Sequence, residues 1–309
     1  MRLIRGIKNL PSYASGCVLT IGNFDGVHKG HSVVIHRLAE KGALLGLPVV
    51  VMVFEPQPQE FFLKDNAPSR LTRLREKIIH FKHLPVDNLL IVNFNQSFAN
   101  LDPAYFIQEI LVQRLNVKYL VVGDDFHFGK ARRGNFALLQ QAGKQFNFKV
   151  IDTASYSVKG SRVSSTLIRD ALSNGDLATA ESMLGRHYSV CGRVVHGEQL
   201  GRKIGFPTAN IQMQRKNTPI QGVFAVTMTG IGSDPICGVA NVGTKPTVNG
   251  GAKVLLETHL FNFDQDIYEK YVEVHFKHKM RNEMRFQSVD DLKRQIQLDT
   301  AQAKTLMQN

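Results

Sequence analysis

Across residues 1–150, short apolar runs alternate with segments of helical spacing, and this alternation restricts the possible folds more than any other feature. Val18 to Ile21, Val49 to Phe54, Leu89 to Val92, Tyr119 to Val122 and Lys149 to Ile151 read as buried strands. His31 to Leu45, Leu71 to His83, Pro103 to Leu115 and Phe136 to Gln145 have helical spacing between them. Strand–helix alternation predicts an α/β domain, a Rossmann-like parallel sheet with flanking helices. Such sheets bind ligands at the carboxyl ends of their strands.

The pattern turns helical from Thr166 to Leu184, with Asn174-Gly175-Asp176 as a break, and changes again after His187. Ser189 to Val195, Val223 to Thr229, Ile236 to Val242, Val254 to Phe261 and Tyr271 to Phe276 read as strands separated by Gly, Pro and Asn. That spacing predicts a small antiparallel β-barrel. One amphipathic helix, about Val289 to Met307, closes the chain. The expected domains are therefore 1–185 and 186–309, within the usual size range for a domain.

Composition narrows the function classes. The net charge is +12, which favours anionic ligands without choosing among them. There is no block of like charges and no aromatic–basic interleaving of the kind that stacks bases, so nucleic acid is not an expected partner. No run of residues approaches the apolar length of a membrane helix, and the charged start of the chain lacks the features of a secretory signal. Cys17, Cys191 and Cys237 are far apart and in no Cys-x-x-Cys spacing, which suits a reducing cytoplasm. Nothing in the sequence fixes an oligomeric state.

The strand Val18 to Ile21 runs into Gly22-Asn23-Phe24-Asp25-Gly26-Val27-His28-Lys29-Gly30-His31, where a helix begins. Gly22, Gly26 and Gly30 permit close backbone approach, and a helix start offers free N–H groups to a phosphate. Taken alone, His-x-x-His is compatible with a solvated turn, a zinc pair or two donors to a nucleotide. As donors, His28 and His31 would stabilise charge on an α-phosphate during nucleotidyl transfer. The whole string resembles the His-x-Gly-His nucleotidylyltransferases, and in its Asn-Phe-Asp-Gly-Val-His form the flavin adenylyltransferase of bacteria. That resemblance implies an ATP site at Gly22, Asn23, Phe24, Asp25 and Gly30, with His28 and His31 catalytic.

Three later segments are similar to the same family. Val53 to Pro58 looks like its flavin-side loop, with Pro56 and Pro58. Gly123 to Gly129 supplies Asp125, Phe126 and Phe128 on the flavin side. Val163 to Arg169 resembles the second nucleotide signature, in which Ser164, Ser165, Thr166 and Arg169 reach the phosphates; a serine there can also cap the helix.

In the C-terminal part, Gly192 to Asn210 is punctuated by glycines and is neither a Walker loop nor a protein-kinase glycine loop. Thr208 and Asn210 offer neutral oxygens on one face of a strand, suited to Mg²⁺ carried by ATP. The string resembles the riboflavin kinase family, whose Pro-Thr-Ala-Asn signature stands unbroken at Pro207 to Asn210. Gly222 to Val226, Asn241 to Thr247 and Leu256 to Asp264 match further. The resemblance implies an ATP site at Gly197, Gly201, Arg202, Gly205 and Pro207, with Glu257 as general base toward the ribityl hydroxyl. It also implies flavin contacts at Arg281 and Phe286. Glu269 departs from the family, which usually has Gly after Tyr268.

The order of modules is that of the bacterial bifunctional enzyme. ATP, riboflavin and FMN are the implied partners, Mg²⁺ the implied cofactor, and FMN and FAD the intermediate and product. Two rival readings are a different acceptor for the nucleotidyl group and a non-enzymatic protein that binds RNA or senses flavin.

Overall fold

A computed structural model describes residues 1–153, 157–158, 161–197, 201, 204–246 and 252–308. The chain divides into two compact units, Met1–Pro68 with Arg73–Val163, and Ser69–Thr72 with Ser164–Asn309.

Among the described residues, the first unit carries a six-stranded parallel sheet in the order β1-β4-β3-β2-β5-β6. The strands are β1 (Arg2–Arg5), β2 (Cys17–Ile21), β3 (Val49–Glu55), β4 (Asn88–Asn93), β5 (Val117–Val122) and β6 (Lys149–Asp152). β2 and β3 are buried along almost their whole length, as expected of central parallel strands covered on both faces. The helices are α1 (Lys29–Leu45), α2 (Pro58–Leu63), α3 (Leu74–Phe81), α4 (Gln96–Ala99), α5 (Pro103–Tyr105, continuing as a π-helix over Phe106–Arg114) and α6 (Phe136–Phe146). α1 buries Ile35, Leu38 and Gly42 on one stripe and ends at Gly46 in the left-handed conformation. A short hairpin, β7 (Ser157–Val158) and β8 (Ser161–Arg162), completes the unit.

Two expectations change in detail. Helical spacing from Leu71 yields a helix only from Leu74, because the Arg73 N–H donates to Glu76 Oε2 at 2.6 Å and fixes the first turn there. β1 escapes sequence detection because only Ile4 of its four residues is buried.

The second unit opens with α7 (Ser165–Asn174) and α8 (Leu177–Leu184), separated at Gly175 in the left-handed conformation. A closed antiparallel barrel follows in the order β10-β13-β12-β11-β14-β9. Its strands are β9 (Ser189–Val195), β10 (Ala209–Gln212), β11 (Gly222–Thr229), β12 (Ile236–Pro246), β13 (Ala252–Leu260) and β14 (Tyr271–Arg281). Alternate residues fill the interior: Leu256, Thr258 and Leu260 on β13, and Val272, Val274 and Phe276 on β14. The intervening residues, Glu257 among them, face outward. β12 runs past its expected end, since the ladder with β13 continues through Gly243 to Pro246. The final helix, α9 (Val289–Gln308), is held to β14 by Arg281 and Asp299.

Glu269 adopts a left-handed φ of 65°, the conformation in which glycine carries no steric cost. Its carboxylate pairs with Arg193 at 2.7 Å on the surface.

Candidate active sites

In the first unit the chain proceeds from β2 to β3 and β4 on one side, then crosses to β5 on the other side of β2. The strand order therefore reverses at β2, where open parallel sheets bind ligands beyond the strand ends. β2 ends directly in the Gly22–His31 string.

His28 is the N-cap of α1 and is almost wholly buried. The His31 N–H donates to His28 Nδ1 and the His28 N–H donates to His31 Nδ1, both at 3.3 Å. The rings stack with centroids 3.5 Å apart and planes inclined by 16°. This is a capping box built from imidazoles instead of Ser and Glu. Each Nδ1 acts as an acceptor, so each neutral ring carries its proton on Nε2. Two Nε2–H donors thus stand at the start of a helix whose dipole favours anions. Gly30 is needed between them, because a Cβ there would press on the His28 ring at 3.1 Å. Phe24 packs its ring against His31 with centroids 4.9 Å apart, and Asp25 is buried.

At the end of β3, Glu55-Pro56 is a cis peptide, and Pro58 starts α2. Edge-to-face ring contacts link Phe54, Phe94, Phe98 and Phe61, and the series continues through Phe106 to Phe128 and Phe126. Phe128 is buried within the core, whereas Phe126 is partly open and Asp125 exposed. Phe62, which sequence reasoning missed, is 60% exposed and packs on Phe61 and Phe94. The run Phe61-Phe62-Leu63 reads as an ordinary apolar helix face, and nothing local marks the one ring that stays open. Lys77 was also missed, because a lysine in a helix reads as solvated; it is fully buried and donates to the Asn23 carbonyl at 2.5 Å.

The Ser164–Arg169 segment falls in the second compact unit. Ser164 caps α7 by accepting from the Leu167 N–H at 3.3 Å. Ser165 and Thr166 lie in the first turn, with Thr166 exposed. Arg169 donates through Nε to the Ser69 carbonyl at 2.7 Å.

On the barrel, Asn210 of β10 is directly opposite Glu257 of β13, and Glu257 is directly opposite Asn241 of β12. Opposed residues of antiparallel strands project from the same face. Asn210, Glu257 and Asn241 therefore form one outward row, with Thr208 two residues before Asn210. Asn241 donates to Glu283 Oε1 at 3.4 Å, a long bond at the edge of the row. His259 bonds through Nδ1 to the Pro207 carbonyl at 2.9 Å and stacks edge-on against Phe206, so it pins the turn leading to Thr208.

Gly197 and Gly201 lie close against these side chains. A Cβ at Gly197 would collide with the Asn210 amide. One at Gly201 would collide with the Phe206 carbonyl and sit 3.3 Å from Thr208 Oγ1. The Gly201 carbonyl accepts from the Phe206 N–H at 2.8 Å, closing a tight turn through Gly205, whose φ is 89°. Thr208 and Asn210 thus keep room beside their oxygens, and a hydroxyl, an amide oxygen and a nearby carboxylate are the hard donors that Mg²⁺ takes. The donor set fits the metal. Arg202 lies outside the described residues, as do Glu198, Gln199, Leu200, Lys203 and Thr247.

The Arg281 guanidinium forks onto the Asp299 carboxylate, Nε to Oδ1 at 3.0 Å and NH2 to Oδ2 at 2.7 Å. Phe286 lies against that guanidinium, 5.9 Å from ring centroid to Cζ.

Comparison with known proteins adds the decisive observation. The sequence profile of FAD synthetase matches residues 10–167, and that of riboflavin kinase matches residues 184–307. A bifunctional riboflavin kinase/FMN adenylyltransferase of Escherichia coli K12 is 50% identical over 98% of this chain and 97% of its own length. The chain belongs to this family. The Haemophilus influenzae member is 51% identical over 98% of both chains. A solved structure described as a macrolide-efflux protein from Streptococcus pneumoniae shares the fold, with a TM-score of 0.82, 29% identity and 97% of each chain covered. Among the described residues of the present family member, no helix is long and apolar enough to cross a membrane.

Proposed function

We propose that this chain phosphorylates riboflavin with ATP to give FMN and ADP, then joins FMN to AMP from a second ATP, giving FAD and pyrophosphate. The reading rests above all on one fact: a single polypeptide carries both the outward Asn210–Glu257 row and the reciprocally capped histidine pair.

In the kinase reaction, Glu257 accepts the proton of the ribityl 5′-hydroxyl as its oxygen attacks the γ-phosphorus and ADP leaves. Thr208 and Asn210 would hold Mg²⁺, which neutralises charge on the phosphates. Gly197, Gly201, Gly205 and Pro207 serve the nucleotide, and the family resemblance assigns Arg202 to it as well. Arg281 and Phe286 border the flavin, and Arg281 also ties β14 to α9.

In the adenylyl transfer, a phosphate oxygen of FMN attacks the α-phosphorus of ATP and pyrophosphate departs. His28 and His31 donate from Nε2 to the oxygens that gain charge, at the positive end of α1. Gly22, Asn23, Phe24, Asp25 and Gly30 shape that pocket. Ser164, Ser165, Thr166 and Arg169 serve the β- and γ-phosphates, while Pro56, Pro58, Asp125, Phe126 and Phe128 serve the flavin.

The functional division is 1–185 for adenylyl transfer and 186–309 for the kinase. The free thiols Cys17, Cys191 and Cys237 are in keeping with a cytoplasmic enzyme. Chromatography of products from riboflavin, ATP and Mg²⁺ tests the whole reading. FMN should appear first and FAD after it; a preparation that stops at FMN, or makes neither, refutes it.

A further inference from the structure

Between Gly22 and His28 the backbone follows a costly path. Phe24 has a φ of 47°, Gly26 of 85° and Val27 of 40°, so two non-glycine side chains, one of them β-branched, occupy left-handed conformations. Such a path persists only where its surroundings over-determine it. The surroundings here come from α3. Phe81 meets the Phe24 ring edge-on at 5.6 Å, and one turn earlier Lys77 donates to the Asn23 carbonyl at 2.5 Å. Both side chains are fully buried.

A buried ammonium is expensive, and an apolar side chain of the same length would fill the space at lower cost. Packing therefore does not account for a lysine at this position. Its polar contacts do, and the bond to the loop carbonyl is one of them. The Asn23–Phe24 peptide is trans, so drawing its carbonyl toward Lys77 turns the Phe24 N–H the opposite way.

We propose that Lys77 is a positioning residue for adenylyl transfer. Its ammonium holds the Asn23 carbonyl, keeps the Gly22–Val27 loop on its strained path, and so aims the loop amides and the His28–His31 pair at an incoming triphosphate. This rests on the adenylyltransferase reading above and assigns a role to a side chain that never touches substrate.

The test uses the full-length enzyme and Lys77→Met, which keeps the stem and removes the donor and the charge. FAD formation from FMN and ATP should fall in kcat by about 10²-fold, the scale of an ångström-level misplacement. FMN should bind with unchanged stoichiometry and affinity, and riboflavin phosphorylation should be unaltered. Without substrate, hydrogen exchange across Gly22–His31, read by mass spectrometry, should speed up. Unchanged FAD formation, a loss of FMN binding sites in step with activity, or equal losses in both reactions overturns the assignment. If Lys77→Met does not fold, Lys77→Gln decides, since its amide falls short of the Asn23 carbonyl; wild-type FAD formation by that variant also overturns it. Wild-type enzyme that makes no FAD defeats the activity reading instead, and the exchange measurement still tests the grip of Lys77 on the loop.

Discussion

Asn210 and Glu257 are directly opposed across β10 and β13, which sets a neutral oxygen donor beside a carboxylate on the outside of the barrel. Directly opposed side chains have Cβ atoms ~5 Å apart, close enough for the proposed phosphate at one and substrate hydroxyl at the other to meet. Glu257→Gln keeps the shape and removes the base. FMN formation should fall by about 10²–10⁴-fold, while FAD formation from supplied FMN continues. Separate assays of the two products check this, and a loss of both activities in folded protein contradicts the division of labour.

The histidine pair has a structural and a chemical task, and two substitutions separate them. His28→Ala removes the α1 cap and one Nε2–H donor. It should cost roughly 1 kcal/mol in stability and lower FAD formation by about 10²–10³-fold. His28→Asn restores a capping acceptor without the imidazole. Its thermal midpoint should return toward wild type while FAD formation stays low. If His28→Asn recovers both, the ring serves only as a cap.

Most of this arrangement is legible in the sequence because it is local. The Gly22–His31 string, its position after an apolar strand and the Pro207–Asn210 signature are contiguous, so spacing alone brings their groups together. The Asn210–Glu257–Asn241 row is different. It joins three strands, and only the barrel register reveals it. Lys77 is separated from Asn23 by more than fifty residues, and a lysine in a helix reads as solvated until its burial is seen. Arg281 is a similar case: a family resemblance puts it beside the flavin, and its pairing with Asp299, eighteen residues on, is seen only in the structure. Pair registers and long-range partners are tertiary facts, and no local period encodes them.

The Gly201 turn offers a steric test of the kinase pocket. An alanine there would drive its Cβ into the Phe206 carbonyl and toward the Thr208 hydroxyl. Gly201→Ala should lower kcat/KM for riboflavin phosphorylation by ~10–10²-fold and leave adenylyl transfer alone. Wild-type kinetics would mean that the turn relaxes freely and takes no part in holding the nucleotide.

In the Arg281–Asp299 pair the carboxylate is buried and the guanidinium half-buried, with side-chain exposures of 4% and 19%. Gln295 also donates to the same carboxylate at 2.9 Å. Removing one partner leaves an uncompensated charge, so Asp299→Ala should destabilise the C-terminal unit by ~3–5 kcal/mol. The double replacement Arg281→Met with Asp299→Leu should recover much of that loss. Urea unfolding of the three proteins measures both steps. A single variant as stable as wild type would mean that α9 is held by its apolar contacts alone.

Acidification should weaken the same unit through two histidines. His187 is pushed below the ordinary histidine range by desolvation, then by Lys277 and His278, against the opposing pull of Glu181 at 2.9 Å. His275 is likewise lowered, first by desolvation and then by Lys277 and His187, with Glu273 opposing. A base whose pKa is lower in the folded state binds fewer protons there than in the unfolded chain, so stability rises with pH between the two values. The contribution is whole above the unfolded value of about 6.5 and drains away as pH falls from there through the lower native pKa. Calorimetry should therefore find the melting temperature dropping from pH 7.5 to 5.5, and dropping less in the double variant His187→Gln with His275→Gln. Parallel curves for the two proteins would assign the acid sensitivity to other groups.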